Sequence, residues 1–355
     1  MVVSSDFLRD STDMARDQLS DVFNLIEVRG LVSGGFSVRG DWISRFKINY
    51  PLKLVAMVCG GARLTTDGLR RPIQLEAGDV AILNGRGWMV LEGGPGAAAP
   101  HEFTVRESDP FLRVDGADCG DADVIIGGHV DVNPAGEALL ARALPSVGHV
   151  RASATEAPSL HAILNRLVDE VTGNRIGAAF AIQQQGQLLL LEVLRAYITQ
   201  TDELPPGWLR LLTDARLQPA VEVMHEEPGK QWSLAELARV SAMSRTSFAE
   251  RFRAVAGVPP LTYLNAWRMQ IAQRALRDGD TRVGPLAFEL GYTSESAFSN
   301  AFKREVGMSP LRYRTSVRDE SSAASADWAV EGEEGVLRYG QHPVFSVRAV
   351  VARHD

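Results

Sequence analysis

The 355-residue chain is 45% hydrophobic and 23% charged, which is ordinary for a soluble globular protein and favours two domains with a tail. No uninterrupted apolar run approaches the roughly 18 residues that cross a bilayer, and Met1–Asp21 lacks the apolar segment of a signal peptide. A net charge of −7 argues weakly against nucleic acid as a partner. Cys59 and Cys119 are too few for a disulfide scaffold, so we expect a cytoplasmic protein with no membrane contact.

The first half of the chain, to about residue 151, has the pattern of a β domain. Its apolar runs, such as Lys53–Cys59 and Val80–Leu83, are short. Turn signals separate them at Gly60-Gly61, Asp67-Gly68 and Gly78-Asp79. Many short strands with regular turns predict a β-sandwich or β-barrel.

Two helical patterns follow the β domain. The first has apolar residues at helical spacing, namely Leu160, Ile163, Leu164, Leu167, Val168 and Val171. The second runs from Leu188 to Ile198, and Thr172-Gly173-Asn174 separates the two. Such a helical pair either forms an interface with a second subunit or packs on its own β domain, and the pattern leaves both alternatives open.

Charge and linker residues divide the chain into three segments. Residues 1–204 carry 18 Lys and Arg against 26 Asp and Glu, whereas residues 205–315 carry 15 against 11. The sequence Leu204-Pro205-Pro206-Gly207 is a natural linker between them. Residues 316–355 are acidic, and the Ser, Ala and acid of Ser316–Glu334 predict a flexible tail. Only the middle segment is net positive, which is typical of phosphate binding.

The basic segment repeats itself with an offset of 50 residues. The matching pairs are Ser244 and Ser294, Phe248 and Phe298, Phe252 and Phe302, Gly257 and Gly307, Pro260 and Pro310, Leu261 and Leu311, and Tyr263 and Tyr313. Self-similarity at a fixed offset indicates one structural unit that is used twice.

Each repeated unit has the pattern of a helix, a tight turn and a second helix. In the first unit, Ser233 and Glu236 form a capping-box pattern, and Ser241–Met243 make the turn. The second helix begins after Ser244 and ends at Gly257, where Pro259-Pro260 prevents its continuation. This is the layout of a helix-turn-helix, whose second helix lies in the major groove of DNA.

The second unit follows the same plan. Its first helix is predicted over Val283–Leu290 with Gly291 at the end, and Ser294 caps the next helix. A helix over Leu261–Arg277 joins the units and would be roughly 25 Å long. It could hold two recognition helices on one face of the duplex, about one DNA turn apart.

The outward faces of the two second helices are polar and partly basic. They carry Arg245, Thr246, Glu250, Arg251 and Arg253 in the first unit, and Glu295, Ser296, Ser299, Asn300, Lys303 and Arg304 in the second. Arg and Asn pair with base edges, and Arg and Lys with phosphates. A helical hairpin with only a structural role would not need these faces, so double-stranded DNA is the predicted partner.

At these residues the chain resembles the AraC/XylS family of transcription regulators, above all over Ala287–Pro310. The resemblance implies base-facing positions at Thr246, Ala249 and Glu250, and at Glu295, Ser296 and Asn300. Glu250 either accepts a hydrogen bond from cytosine or pairs with Arg251 or Arg253. The full predicted DNA-binding set is Ser244, Arg245, Thr246, Ala249, Glu250, Arg253, Ser294, Glu295, Ser296, Asn300, Lys303 and Arg304.

The first half resembles the cupin-like domain of one branch of that family, at Leu75–Val80 and Ala143–Val150. The expected fold is therefore multidomain α+β, with an N-terminal cupin-like β-barrel and helical pair before an all-α tandem helix-turn-helix domain. The resemblance implies a small-molecule effector or a homodimer, RNA polymerase as a partner, and activation rather than repression.

The main alternative is a cupin enzyme or small-molecule-binding protein with an accessory helical domain. Metal-dependent cupins cluster their ligands, whereas His101, His129, His149 and His161 are scattered, so we expect neither a metal nor a cofactor. Candidates for an effector-binding interior are Trp42, Phe46, Arg63 and Trp88, although residues of these types are more often ordinary core or surface. A redox switch would need a reactive thiol, but Cys59 lies in an apolar strand and Cys119 between acidic residues.

Overall fold

A computed structural model of the protein describes residues 17–25, 28–30, 34–105, 111–113, 122–152, 157–173, 175–279 and 281–318. The described residues form two compact units: residues 28–205 with 315–318, and residues 17–25 with 206–314. None of the helices in these ranges is long and apolar enough to cross a membrane. Cys119 and residues 319–355 of the predicted tail lie outside the described residues.

The first unit is built on short strands. They are β1 (Val28–Gly30), β2 (Gly34–Val38), β3 (Trp42–Lys47), β4 (Leu52–Cys59), β5 (Gly61–Thr66), β6 (Ile73–Glu76), β7 (Val80–Asn84), β8 (Trp88–Gly93), β9 (His101–Phe103), β10 (Phe111–Arg113), β11 (Asp123–His129), β12 (Asp131–Val132) and β13 (Val147–Val150). The predicted runs correspond to β4 and β7. Gly60, Gly68 and Gly78 all have positive φ at the predicted turns.

Two sheets form the body of this unit. One has the strand order β10-β2-β11-β4-β7-β13 and the other β6-β5-β8-β3-β9, while β1 pairs with β12. Most neighbours are antiparallel, but β10 runs parallel to β2 and β9 parallel to β3. Alternate side chains such as Phe36, Trp42, Met57, Leu64 and Leu91 are buried in one core between the sheets. The predicted β-sandwich or barrel is confirmed.

Helices pack on this β unit. α2 spans Pro134–Ala143, α3 Ala157–Thr172 and α4 Ala178–Gln200. α3 and α4 pack on each other, α3 also contacts β4, and α4 contacts β13 and β1. The two predicted helical patterns are therefore confirmed. α2 was not predicted, because its few large apolar residues give a weak helical period. Asn133 caps this helix by accepting a hydrogen bond from Gly136 N at 2.7 Å.

The second unit is helical. Its elements are α1 (Gln18–Leu25), α5 (Trp208–Thr213), α6 (Gln218–Glu226), α7 (Leu234–Val240), α8 (Arg245–Ala256), α9 (Pro260–Asp278), α10 (Val283–Glu289) and α11 (Glu295–Val306). Residues 310–314 are also helical. The helices α7 to α11 correspond to those predicted. α5 and α6 were missed, and they complete the core around Leu211, Val221, Met224 and Phe248.

α1 packs with the helical unit, against α6 and α9, whereas all of residues 1–204 were predicted to form one domain. Val22 is buried in this contact. His225 of α6 stacks on Trp267 with ring centroids 3.6 Å apart, and its Nε2 lies 2.8 Å from the Tyr263 hydroxyl. Burial lowers the pKa of His225, and the Asp21 carboxylate, 3.4 Å from Nδ1, opposes this shift. Such contacts leave no periodic sequence signal.

Candidate nucleic-acid interface

Both recognition helices, α8 and α11, begin at a serine cap. Ser244 Oγ accepts from Ser247 N and Ser294 Oγ accepts from Ala297 N, each at 3.1 Å. Both helices end at a left-handed glycine, Gly257 and Gly307. Local sequence thus sets the ends of both helices, because caps satisfy the backbone groups left unpaired there. The predicted capping box of α7 is also present, since Ser233 and Glu236 bond to each other's backbone amides.

The turns of the two helix-turn-helix units differ by one residue. The recognition helices are 50 residues apart, whereas α7 and α10 begin 49 residues apart, at Leu234 and Val283. The left-handed residues Ala242 (φ 51°) and Gly291 (φ 81°) are also 49 residues apart, so they occupy the same structural position. The second helix-turn-helix unit therefore contains one extra residue between its left-handed residue, Gly291, and its recognition helix, α11.

The buried faces of the two units contain the same aromatic cluster. Phe252 packs against Tyr263 with ring centroids 5.7 Å apart and an interplanar angle of 66°. Phe302 and Tyr313 repeat this contact at 5.6 Å and 69°. Phe248, Phe252, Phe298 and Phe302 are all completely buried. This agreement supports the interpretation of one structural unit used twice.

The opposite faces of the recognition helices are open to solvent. The exposed members of the predicted DNA-binding set are Ser244, Arg245, Thr246, Glu250, Arg253, Ser294, Glu295, Ser296, Asn300, Lys303 and Arg304, and Ala249 is half-buried. Thr246, Glu250 and Arg253 on α8, and Ser296, Asn300, Lys303 and Arg304 on α11, lie on the face away from the phenylalanines, whereas Arg245 and Glu295 are the first residues of their helices. Ser244 and Ser294 differ from the rest because their hydroxyl oxygens already accept the cap hydrogen bonds.

Arg251 has a structural partner that was not predicted from the sequence. Its Nε lies 3.1 Å from Asp214 Oδ1, and its Nη2 lies 2.8 Å from Asp214 Oδ2. This two-point contact joins α8 to the end of α5, and the Asp214 side chain is mostly buried. Arg251 is therefore engaged by Asp214, which leaves cytosine and Arg253 as the predicted partners for Glu250.

Arg268 on α9 joins the two helix-turn-helix units. Its Nε donates to Pro228 O at 2.6 Å and its Nη2 to Lys230 O at 2.8 Å. Both carbonyls belong to the loop before α7 of the first helix-turn-helix unit. Its guanidinium also lies 5.9 Å from the ring centroid of Tyr292 in the second unit. The side chain is only 6% exposed. An arginine within the apolar stripe of a helix was the one sequence signal that could have identified it.

The loop that Arg268 holds also touches the second unit directly. Gln231 donates from Nε2 to Gly291 O. A Cβ on Gly229 would lie 2.0 Å from Glu289 O, so backbone meets backbone there. Residues 228–231 and 289–292 therefore form a contact between the two helix-turn-helix units, which we call the inter-unit contact.

The candidates for an effector-binding interior are placed differently from one another. Trp42 is completely buried and donates from Nε1 to Asp123 Oδ2 at 2.6 Å. Arg63 pairs with Glu92 at the surface, and Trp88 is 43% exposed. Phe46 lines a cavity of about 270 Å³ between the two sheets, whereas Trp42 and Arg63 line a second cavity of about 350 Å³. Trp88 borders neither of these two cavities, and the position of an effector site stays a prediction.

The four histidines considered as metal ligands, His101, His129, His149 and His161, all lie in the N-terminal unit. In the described ranges, no group of three or more His, Cys, Asp or Glu side chains is placed to hold an ion. His149 Nε2 lies 2.8 Å from Asp79 Oδ2, which ties β13 to the turn before β7. Cys59 is only partly buried, contrary to the expectation of a buried thiol. Since Cys119 lies outside the described residues, the expectation that neither cysteine is a redox switch stays a prediction.

Comparison with known proteins identifies both units. Residues 17–199 match the Cupin family, and residues 237–316 match the family described as a helix-turn-helix domain. A "Putative AraC-like transcription regulator" of Streptomyces lividans is 33% identical over 311 residues, which cover 84% of this chain and 98% of that protein.

Two further matches cover shorter parts of the chain. The RCS-specific HTH-type transcriptional activator RclR of Escherichia coli is 43% identical over 110 residues, 31% of this chain and 39% of that protein. The crystal structure of the DNA-binding domain of AdpA with a target DNA is 32% identical, covers 30% of this chain and 96% of that one, and has a TM-score of 0.28. On the full-length relatives and the two domain matches, the chain belongs to the AraC-like family of transcription regulators, with a cupin domain before its helix-turn-helix domain.

Proposed function

We propose that this regulator reads two adjacent major grooves of double-stranded DNA with α8 and α11. The observation that carries the proposal is the repeated recognition helix, with the same buried aromatic face and a polar, solvent-exposed opposite face. The segment that contains both helices is also the only one of the three with a net positive charge. A merely structural hairpin would need the buried face but not its matched exposed counterpart.

The exposed residues divide into two roles. Thr246, Ala249 and Glu250 on α8 face bases, as do Glu295, Ser296 and Asn300 on α11. Arg245, Arg253, Lys303 and Arg304 contact phosphates and set the register of the helices on the duplex. Ser244 and Ser294 cap the helices, and each hydroxyl lies at the helix end where a phosphate would approach.

The N-terminal unit controls this DNA reading by binding a small-molecule effector, and it does so without catalysis. We place the protein in the cytoplasm, where it acts with RNA polymerase as an activator. Activation is supported by the activator RclR, to which this chain is 43% identical over 110 residues.

The protein binds DNA as a homodimer through α4. Phe180 and Leu188, two turns apart on this helix, are 68% and 45% exposed. Apolar side chains in line on one helix face are suited to the same face of a second copy, because a twofold axis makes one surface its own partner.

Selection of DNA from a random pool by the full chain tests this function. We expect enrichment of a site with two short boxes about one helical turn apart, roughly 10 base pairs, because α8 and α11 enter successive major grooves. A dimer would select two such sites. A chain that enriches no sequence at all would contradict the proposal and favour a protein-binding role for the helical unit.

Two substitutions on α11 separate base contacts from phosphate contacts. Asn300→Ala should relax the preference at a single base position and cost about 1–3 kcal/mol on the selected site. Arg304→Ala should weaken binding to selected and random DNA alike, and lower the slope of log K against log salt by about one. Fluorescence anisotropy over a salt series measures both effects. Identical effects of the two variants on both kinds of DNA would refute these assignments.

A further inference from the structure

A cavity of about 270 Å³ lies between the two sheets of the β unit and is partly open to solvent. β2, β4 and β11 line it from one sheet, and β3 and β8 from the other. Its apolar wall includes Phe36, Phe46, Val55, Met89, Leu91 and Ile125. A cavity of this size and lining accommodates the apolar body of a small ligand.

One end of the cavity is polar and cationic. Lys53 on β4 lies opposite His129 on β11 in the antiparallel register. The Lys53 ammonium lies on the inner face of the sheet, because its Nζ is 3.6 Å from the position that a Cβ on Gly127 would occupy. Gly127 thus provides the space into which the lysine extends.

An aromatic pair lies beside this lysine. The rings of Tyr50 and His129 stack with centroids 3.8 Å apart and an interplanar angle of 7°. His129 is only 8% exposed, so the stack is a rigid edge of the cavity. The stacked rings therefore form one side of the cavity next to Lys53.

The charge of the lining is one-sided. Arg45, Lys47 and Lys53 are cationic, and none of the described residues in the lining is Asp or Glu. Arg45 pairs with Glu102, which is outside the lining, at 3.1 Å, and therefore adds little net charge. Positive charge beside an apolar interior favours an anionic ligand, since a charge-assisted hydrogen bond is stronger away from water.

We propose that this cavity binds a small organic acid, with its carboxylate on the Lys53 ammonium and its apolar body between the sheets. That this acid is the effector rests on the proposed function, whereas the binding itself does not. A neutral molecule of the same shape would leave the ammonium without the carboxylate and would bind more weakly.

Calorimetric titration of the full chain tests the ligand class. The probes are straight-chain carboxylates from butanoate to octanoate, each compared with the primary alcohol of the same chain length. We expect at least one acid to bind at one site per chain and its alcohol to bind at least about tenfold more weakly. Equal affinity for acid and alcohol, or no binding of any of the acids, would overturn the proposal.

Variants then test the role of Lys53. Lys53→Met keeps the apolar stem of the side chain and removes the charge, so the acid should lose at least about tenfold in affinity while the alcohol is unaffected. Arg71→Met, at an exposed arginine outside the cavity lining, is the matched control and should change neither. Gly127→Leu fills the space beneath the ammonium and should block both ligands, which keeps the test decisive if Lys53→Met fails to fold. An acid that binds Lys53→Met as tightly as the parent chain would also overturn the proposal.

The DNA selection separates this proposal from the proposed function. If the acids fail to bind while the full chain still selects a two-box site, the ligand class is wrong and DNA reading stands. If an acid binds through Lys53 but no DNA site is selected, the ligand class of the cavity is established and the proposed DNA-reading function is contradicted.

Discussion

Replacing Arg268 with alanine is expected to weaken binding to the two-box site by at least about tenfold, and to make binding less sensitive to the distance between the boxes. Arg268 donates to two carbonyl oxygens of the first unit and lies over Tyr292 of the second. Without it, the inter-unit contact loses its buried donor, and α8 and α11 are no longer held in one geometry. Loss of preorganisation lowers the affinity for the paired boxes more than for either box alone.

The substitution also lowers the stability of the helical unit. Pro228 O and Lys230 O would lose charged donors in a partly buried setting, so each costs at most the roughly 1–3 kcal/mol of a fully buried unsatisfied group. Arg268→Lys should recover only part of both effects, because one ammonium cannot reproduce the planar two-point contact of a guanidinium. Binding is therefore measured well below the unfolding temperature of each variant.

Anisotropy with sites of altered spacing distinguishes positioning from a purely structural role. One inserted base pair rotates a box by roughly 34°, which the parent chain should tolerate poorly and Arg268→Ala better. Arg216→Ala, at an exposed arginine of the helical unit outside both recognition helices, is the control and should keep the parent profile. If Arg268→Ala keeps the spacing dependence of the parent chain, Arg268 does not set the geometry of the readers.

Replacing Gly291 with alanine is expected to destabilise the second helix-turn-helix unit by about 2–4 kcal/mol and to abolish specific DNA binding. At φ 81° the backbone is in the left-handed region, and a Cβ would lie 2.1 Å from Gly229 O. Because that neighbour is backbone, relief would require the inter-unit contact to open. Hydrogen exchange of peptides from residues 283–306 should become faster.

Ala242 occupies the equivalent position in the first unit and provides the opposite test. Its φ of 51° strains a residue that carries a Cβ. Ala242→Gly should therefore stabilise the first unit by about 0.5 kcal/mol, after the larger chain entropy of unfolded glycine is subtracted. Slower hydrogen exchange over residues 234–256 would support this, and faster exchange would show that φ strain is not the deciding term.

Sequence by itself determined the repeat and the limits of the recognition helices. The capping serines, the terminal glycines and the phenylalanines at helical spacing act over three or four residues, so their effect does not depend on the rest of the chain. For the same reason the strands β4 and β7, the helices α3 and α4 and the exposed face of α11 were correctly predicted. The base-facing roles of that face come from family resemblance and stay predictions.

Only the tertiary structure decided which distant residues meet. It placed α1 against α6 and α9, paired Arg251 with Asp214, and set Arg268 between the two readers. It also showed that Phe46 lines the cavity while Trp42 is core, although both lie on the inner face of β3. Periodicity defines the buried face of an element, but the partner on that face depends on how all the elements pack together.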